Sequence, residues 1–174
     1  MSSFFEKLPP HARTRVSRMA REFGPTETEG RERLAAAWLE KMATFEAKMH
    51  TFGMVEVSSF PTDEPRGALI MTYSGSILLL GPPKNGSREA TYTSVGNRIG
   101  IPPVAEHDAA LLAETIRVNS PVSFTTGPVT QTSEVYKIAI CKTAINVETQ
   151  QVKLAAAAKE LTDDFSSVNH TLVG

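Results

Sequence analysis

The C-terminal end of the chain carries the pattern that most constrains its fold. Mostly apolar side chains recur there at spacings of four and three residues, at Val147, Gln151, Leu154, Ala158, Leu161, Phe165, Val168 and Leu172. A 4-3 spacing places all of these side chains on one face of an α-helix. We therefore predict a C-terminal helix over 145–172, capped by Asn146, whose apolar face must be covered by another part of the protein.

A second stripe of the same kind lies near the N-terminus, at Trp38, Met42, Phe45, Met49 and Phe52. It predicts a long helix over 26–52, which begins with the capping pair Thr26 and Glu29 and stops at Gly53. A shorter helix over 10–23 precedes it, in a basic helical arm over 1–24 that ends at Gly24-Pro25. Two interpretations of the stripes stay open. They pack together within one chain, or the C-terminal stripe lies between two copies with Gln151 setting the register.

Between the long helices the apolar period shortens to two, which is typical of strands. We predict a sheet region over 54–143, with a hairpin around Ser74-Gly75 and one inserted helix over 104–116. The run Ile77–Leu80 is apolar without alternation, so both of its faces need cover, from helices on one side and a second subunit on the other. The last strand should place Tyr136, Ile138 and Ile140 on one face. The prediction is a single α+β domain over 1–174, in which the N- and C-terminal helices pack a mostly antiparallel sheet of five to six strands.

Composition sets limits on the function. The 174 residues include 18 Lys+Arg and 19 Asp+Glu, so the net charge is −1 and a general nucleic-acid binder is not favoured. The single cysteine excludes an intramolecular disulfide, and the histidines show no ligand spacing, so we expect no metal and no cofactor. No apolar run is long enough to span a membrane and no export signal is evident, which indicates a cytoplasmic protein.

The basic groups are concentrated in the first helix. Residues 1–24 hold five basic and two acidic side chains. Four arginines, Arg13, Arg15, Arg18 and Arg21, lie opposite the apolar face of that helix and are candidate contacts for an anion or a nucleic acid. Arg98, which lies between Gly96 and Gly100, is a second candidate for holding a carboxylate or phosphate.

Three side chains are weak catalytic candidates. Cys141 is the only thiol, and Lys137 lies four residues before it on the same strand face. Nearby cations lower a thiol pKa, but that spacing spans roughly 13 Å on a strand. His107 lies between two carboxylates at the start of the predicted inserted helix. No catalytic pattern joins these residues, so the sequence does not favour an enzyme.

We therefore expect a non-enzymatic binding or protein-interaction module that acts as a homo-oligomer. One alternative is a small-molecule enzyme with its site between sheet and helices. The other is contact with an anion or nucleic acid through the arginine face of the first helix.

Overall fold

The protein is described here from a computed structural model, which describes residues 3–84, 88–94, 105–111, 115–125, 129–142 and 146–173. Its α-helices are α1 (Pro10–Met19), α2 (Glu27–Thr51) and α3 (Val147–Val173), and short 3-10 helices cover Phe5–Lys7 and Ala20–Glu22. The strands are β1 (Met54–Val57), β2 (Ser59–Pro61), β3 (Ala68–Thr72), β4 (Ile77–Leu80), β5 (Ala90–Ser94), β6 (Ala105–Leu111), β7 (Thr115–Arg117), β8 (Pro121–Thr125) and β9 (Val129–Cys141). The predicted α+β class, with helices at both ends of the chain, is confirmed.

Strand β9 pairs with three neighbours and so closes the sheet on itself. Its first half pairs with β8, and its second half pairs with β3 and β1. The full order is β1-β9-β3-β4-β5-β6-β8, and the additional β9–β8 pairing closes the sheet from β9 to β8, with β1 attached outside the ring. Strands β3, β4, β5, β6, β8 and β9 thus form a closed antiparallel sheet, while β2 and β7 form a separate two-stranded ribbon.

The closed sheet explains the run of apolar residues in β4. Leu78 and Leu80 belong to the cluster that fills the inside of the sheet, and both are fully buried. Ile77 and Leu79 face the other way and pack against the helices. The expectation that a second subunit covers one face of this strand is therefore wrong, because the curvature of the sheet covers it.

The two long helices pack on the outer face of the sheet. Phe45 of α2 and Leu161 and Phe165 of α3 share one apolar cluster with strand residues, and all three are fully buried. The interpretation that both stripes pack within one chain fits these contacts. Leu161 and Phe165 are covered within the chain, while the oligomeric state and any part of α3 in it stay predictions.

Strand β9 contains a bulge that the alternating pattern does not reveal. In its pairing with β3, Met71 lies opposite Lys137, but the next residue, Thr72, lies opposite Val135. Tyr136 is therefore the extra residue of the bulge and has no opposite residue in β3. As a result Val135 joins Ile138 and Ile140 inside the sheet. Tyr136 packs instead with the helix side, which corrects the prediction that it shares a face with Ile138 and Ile140.

The predicted helix over 104–116 is wrong. Residues 105–111 form β6, which pairs with β5 from Ala90–Ala109 to Ser94–Ala105, and residues 115–117 form β7. Apolar residues four apart suit a helix, but they also suit one face of a strand. The partner strand decides between the two, and pairing partners are set by the whole fold.

The predicted helix boundaries hold where a local hydrogen bond defines them. The Thr26 hydroxyl accepts from the backbone N–H of Glu29 at the start of α2. Asn146 Oδ1 accepts from the backbone N–H of Thr149 at 2.8 Å at the start of α3. Gly53 has a φ of 61° just past α2, as a glycine stop requires.

The first helix is shorter than predicted and is not a free arm. It changes to a 3-10 helix at Ala20, because this turn crosses α2 at Gly30. A Cβ on Gly30 would lie 1.7 Å from the Ala20 carbonyl oxygen. Ala12 and Val16 of α1 are buried against α2 residues such as Trp38.

Replacing Gly30 with alanine tests this close approach. In an unhindered helix the change stabilises by up to ~1 kcal/mol. Here we expect Gly30→Ala to lower the free energy of unfolding by about 1–3 kcal/mol, because the added methyl group collides with backbone. Urea denaturation measures the difference. Gly81→Ala is the control, because the nearest described atom to its Cβ is 3.7 Å away. A more stable Gly30→Ala variant would contradict the crossing.

Candidate functional site

A cavity of about 290 Å³ lies between α1 and one end of the closed sheet. We call it the rim pocket. Its walls come from one face of α1 and from strands β8 and β9. The lining residues are His11, Thr14, Arg15, Arg18, Pro121, Gln131, Thr132, Ser133 and Glu134. Sequence-distant elements meet here, so the pocket exists only in the folded chain.

Helix α1 presents three of these side chains because of their spacing. His11, Arg15 and Arg18 are separated by four and three residues, so they share one face of the helix. The buried residues Ala12 and Val16 lie on the adjoining face, against α2. Burial of the apolar face therefore fixes the rotation of α1 and directs the basic face toward the sheet.

Aromatic stacking anchors this face to the hairpin between β3 and β4. The ring of His11 stacks on that of Tyr73, with centroids 5.2 Å apart, and Tyr73 stacks on Trp38 at 5.9 Å. The Trp38 indole N–H donates to the backbone carbonyl of Tyr73 at 3.0 Å. Stacked aromatic pairs add roughly 0.5–1.5 kcal/mol beyond their buried area. The exposed ring of His11 is therefore held over the pocket by stacking on the buried Tyr73.

Arg15 is a half-buried cation that lines the rim pocket. Its side chain is half-buried, and this desolvation lowers the pKa of its guanidinium, with a smaller contribution from the charge of Arg18. Glu134 and Tyr92 act in the opposite direction. Arg15 forms no hydrogen bond or ion pair within the part of the chain that the structure describes. A guanidinium that has lost water without gaining a direct partner is well suited to bind an anion.

A network of hydroxyl groups continues from the pocket into the β3–β4 hairpin. Ser133 donates to Ser74 Oγ at 3.0 Å and accepts from the backbone N–H of Ser74 at 3.1 Å. Ser74 is also 2.9 Å from Thr72 Oγ1, and Tyr92 donates to Ser76 Oγ at 3.1 Å. These groups add polarity without charge. Among the described lining residues, they leave the two arginines as the dominant charges, opposed by Glu134.

The structure brings together two of the four arginines predicted as contacts. Arg15 and Arg18 line the rim pocket, whereas Arg13 is half-buried outside it. Arg21 is exposed and lies 3.6 Å from Glu27 in a surface ion pair. Arg98 lies outside the described residues.

The three catalytic candidates are not brought together in the described part of the chain. Cys141 is 1% exposed and belongs to the apolar cluster between the outer face of the sheet and the long helices, which we call the outer apolar cluster. Burial raises the pKa of its thiol, although Lys153 and Arg66 nearby act in the opposite direction. Lys137 is held 2.7 Å from Glu46 and 3.6 Å from Glu56. His107 lies in β6 opposite Tyr92, and its side chain is outside the described residues. A protonated thiol and an ion-paired ammonium offer no nucleophile.

Of the nine described residues that line the rim pocket, only Arg15 and Arg18 are predicted as contacts from the sequence. His11 is not among the predicted contacts, although its spacing from Arg15 and Arg18 follows the helical period. Ser133 and Glu134 carry no local signal, because strand pairing alone places them opposite α1. Within the described residues no group of three His, Cys, Asp or Glu side chains is arranged to hold a metal ion.

Comparison with protein-family models, curated proteins and solved structures found no match to the chain. None of the described helices combines the length and apolar character that crossing a membrane requires.

One further titratable group lies in the core. Lys41 of α2 is fully buried, with its ammonium 5.8 Å from the ring centroid of Phe165 on α3. Burial disfavours the charged form and lowers the pKa of Lys41 to about 7. The unfolded chain should therefore hold a proton that the folded chain releases between pH 7 and the ordinary lysine pKa.

This difference predicts a pH dependence of stability. Where the unfolded state binds more protons, the free energy of unfolding rises with pH. We expect it to rise in the wild type from about pH 7 to pH 9, and Lys41→Met to remove most of that slope. Urea denaturation at several pH values measures both. Lys142→Met, at an exposed position, should leave the slope unchanged. Equal slopes for wild type and Lys41→Met would show that Lys41 stays charged in the fold.

Proposed function

We propose that the protein is a non-enzymatic binding module for a small anion-bearing ligand, held in the rim pocket by Arg15 and Arg18. The observation that carries this proposal is the half-buried guanidinium of Arg15, which has no direct partner within the described residues. A carboxylate or phosphate placed there restores the hydrogen bonds that burial removes. Charge-assisted bonds of this kind are among the strongest in proteins.

The size and polarity of the pocket support a small, polar ligand. A cavity of about 290 Å³ is at the lower limit for small-molecule sites. Thr14, Gln131 and Ser133 supply neutral hydrogen-bonding groups beside the arginines. Glu134 lies opposite them and disfavours a second anionic group on its side, which suggests a ligand charged at one end.

The enzyme and nucleic-acid alternatives are less well supported than the anion site. The enzyme alternative loses support, because Cys141 and Lys137 have separate surroundings. A broad nucleic-acid surface also loses support, because only Arg15 and Arg18 of the four arginines share the pocket. The cytoplasmic location and the homo-oligomer are retained as parts of the proposal.

Arginine variants combined with anion titration test the proposed site. Inorganic phosphate and propionate, each with one anionic group, are added in separate series at constant ionic strength, and the melting temperature is recorded. A ligand that binds only the folded state raises it by mass action. We expect a saturable rise with at least one anion for the wild type. We expect affinity to fall about tenfold or more in Arg15→Gln, since a hydrogen bond to a charged group contributes roughly 1.5–3 kcal/mol.

Arg13→Gln is the matched control, because Arg13 lies on the same helix outside the pocket. It should bind the anion as the wild type does. Equal loss in both variants would indicate a diffuse charge effect rather than a site. Absence of a saturable shift with either anion would contradict the proposal.

A further inference from the structure

A second and larger cavity lies on the opposite side of β5 from the hydroxyl network. Its volume is about 700 Å³, and it separates α3 from the outer face of β4 and β5. We call it the α3 groove. It is lined by Leu79, Gly81, Glu89, Thr91, Thr93, Gln151, Leu154, Ala155, Ala158, Lys159, Thr162 and Asp163. None of these residues lines the rim pocket, so the two cavities are separate.

Small side chains on α3 leave the groove open. Ala155 and Ala158 face β4 and β5 across the cavity. Leu154 is 1% exposed and forms part of the outer apolar cluster, against which Leu79 also packs. The groove therefore offers an apolar bed of a volume that suits a small organic molecule.

Thr93 gives the groove a polar point of attachment. Its side chain lines the cavity, and the residue is only 7% exposed. No hydrogen bond of its hydroxyl to another described residue is present, and the side chain borders the open cavity. A threonine hydroxyl can both donate and accept a hydrogen bond. A ligand with one polar edge therefore finds a hydrogen-bonding group beside the apolar bed.

The charges along the groove disfavour an anion. Lys159 lies 3.1 Å from Asp163, one helical turn away, so these two charges compensate each other. Glu89 is the remaining charge of the lining, and it forms no ion pair in the described part of the chain. The groove therefore differs in chemistry from the rim pocket, whose excess charge is positive.

We propose that the α3 groove binds an uncharged amphipathic small molecule. Its apolar body would lie on Leu79, Leu154 and Ala158, and its hydrogen-bonding edge would meet Thr93. The proposal does not depend on the anion site. Thr91 and Thr93 line the groove, whereas Tyr92 between them donates to Ser76 in the hydroxyl network. Alternation along β5 thus places the groove and the hydroxyl network on opposite faces of this strand.

The probe for this test is N-phenyl-1-naphthylamine, an uncharged molecule with two apolar ring systems and one N–H group. Its fluorescence increases in apolar surroundings, so a titration of the whole chain reports binding. We expect saturable binding at one site per chain. Methyl NMR signals of Thr93 and Ala158 should shift with the same saturation, while those of exposed Val152 should not.

Two alanines on α3 provide a matched pair of variants. Ala155→Trp places a large ring in the groove and should weaken probe binding about tenfold or more. Ala156→Trp adds the same ring at an exposed neighbouring position that does not line the groove, and it should bind as the wild type does. Thr93→Val keeps the shape and removes the hydroxyl, so binding should weaken about threefold to tenfold.

Each outcome of these binding experiments either supports or overturns the groove proposal. Loss in Ala155→Trp without loss in Ala156→Trp supports the groove. If Ala155→Trp binds the probe as tightly as Ala156→Trp, or if the fluorescence never saturates, the proposed groove site is overturned. Unchanged affinity in Thr93→Val overturns the assigned hydrogen bond even if Ala155→Trp fails to fold. Arg15→Gln should bind the probe normally, so failure of the anion site leaves this test intact.

Discussion

The structure depends on the double pairing of strand β9. By bonding to β8 with one half and to β3 and β1 with the other, β9 closes the sheet and gives it an inside and an outside. Apolar residues on both faces of β4 are then buried within one chain. Closure also removes most of the unpaired strand edges that would otherwise invite association. The helices need to cover only part of the outer face.

Closure also determines where the two cavities lie. The rim pocket forms where α1 meets the end of the closed sheet, and the α3 groove forms where small residues of α3 leave the space beside β4 and β5 unfilled. As a result, the arginines of α1 differ in how far they are removed from water. Arg21 remains a solvated surface charge, for which ion pairing contributes roughly 0–1 kcal/mol. Arg15 is partly desolvated beside the sheet, so an anion gains more from contact with it.

Local signals predicted much of the fold. The helix caps at Thr26 and Asn146, the glycine stop at Gly53 and the hairpin around Gly75 all depend on residues close in sequence. The errors arose where distant residues decide. The β5 pairing turned a predicted helix into β6, and the bulge beside Met71 turned Tyr136 to the helix side. For the site, Arg15 and Arg18 were predicted from the charge of one helix, whereas Ser133 and Glu134 required the tertiary fold.

We propose that the fold converts Arg15, a partly desolvated arginine of α1, into an anion site. The most direct measurement is an NMR titration of the arginine side-chain N–H signals with inorganic phosphate at constant ionic strength. If Arg15 holds the anion, we expect a saturable shift at Arg15, a smaller one at Arg18 and none at Arg13. Parallel shifts at Arg13 and Arg15 that rise linearly with phosphate would contradict it, because they would show only general attraction of anions to a basic helix.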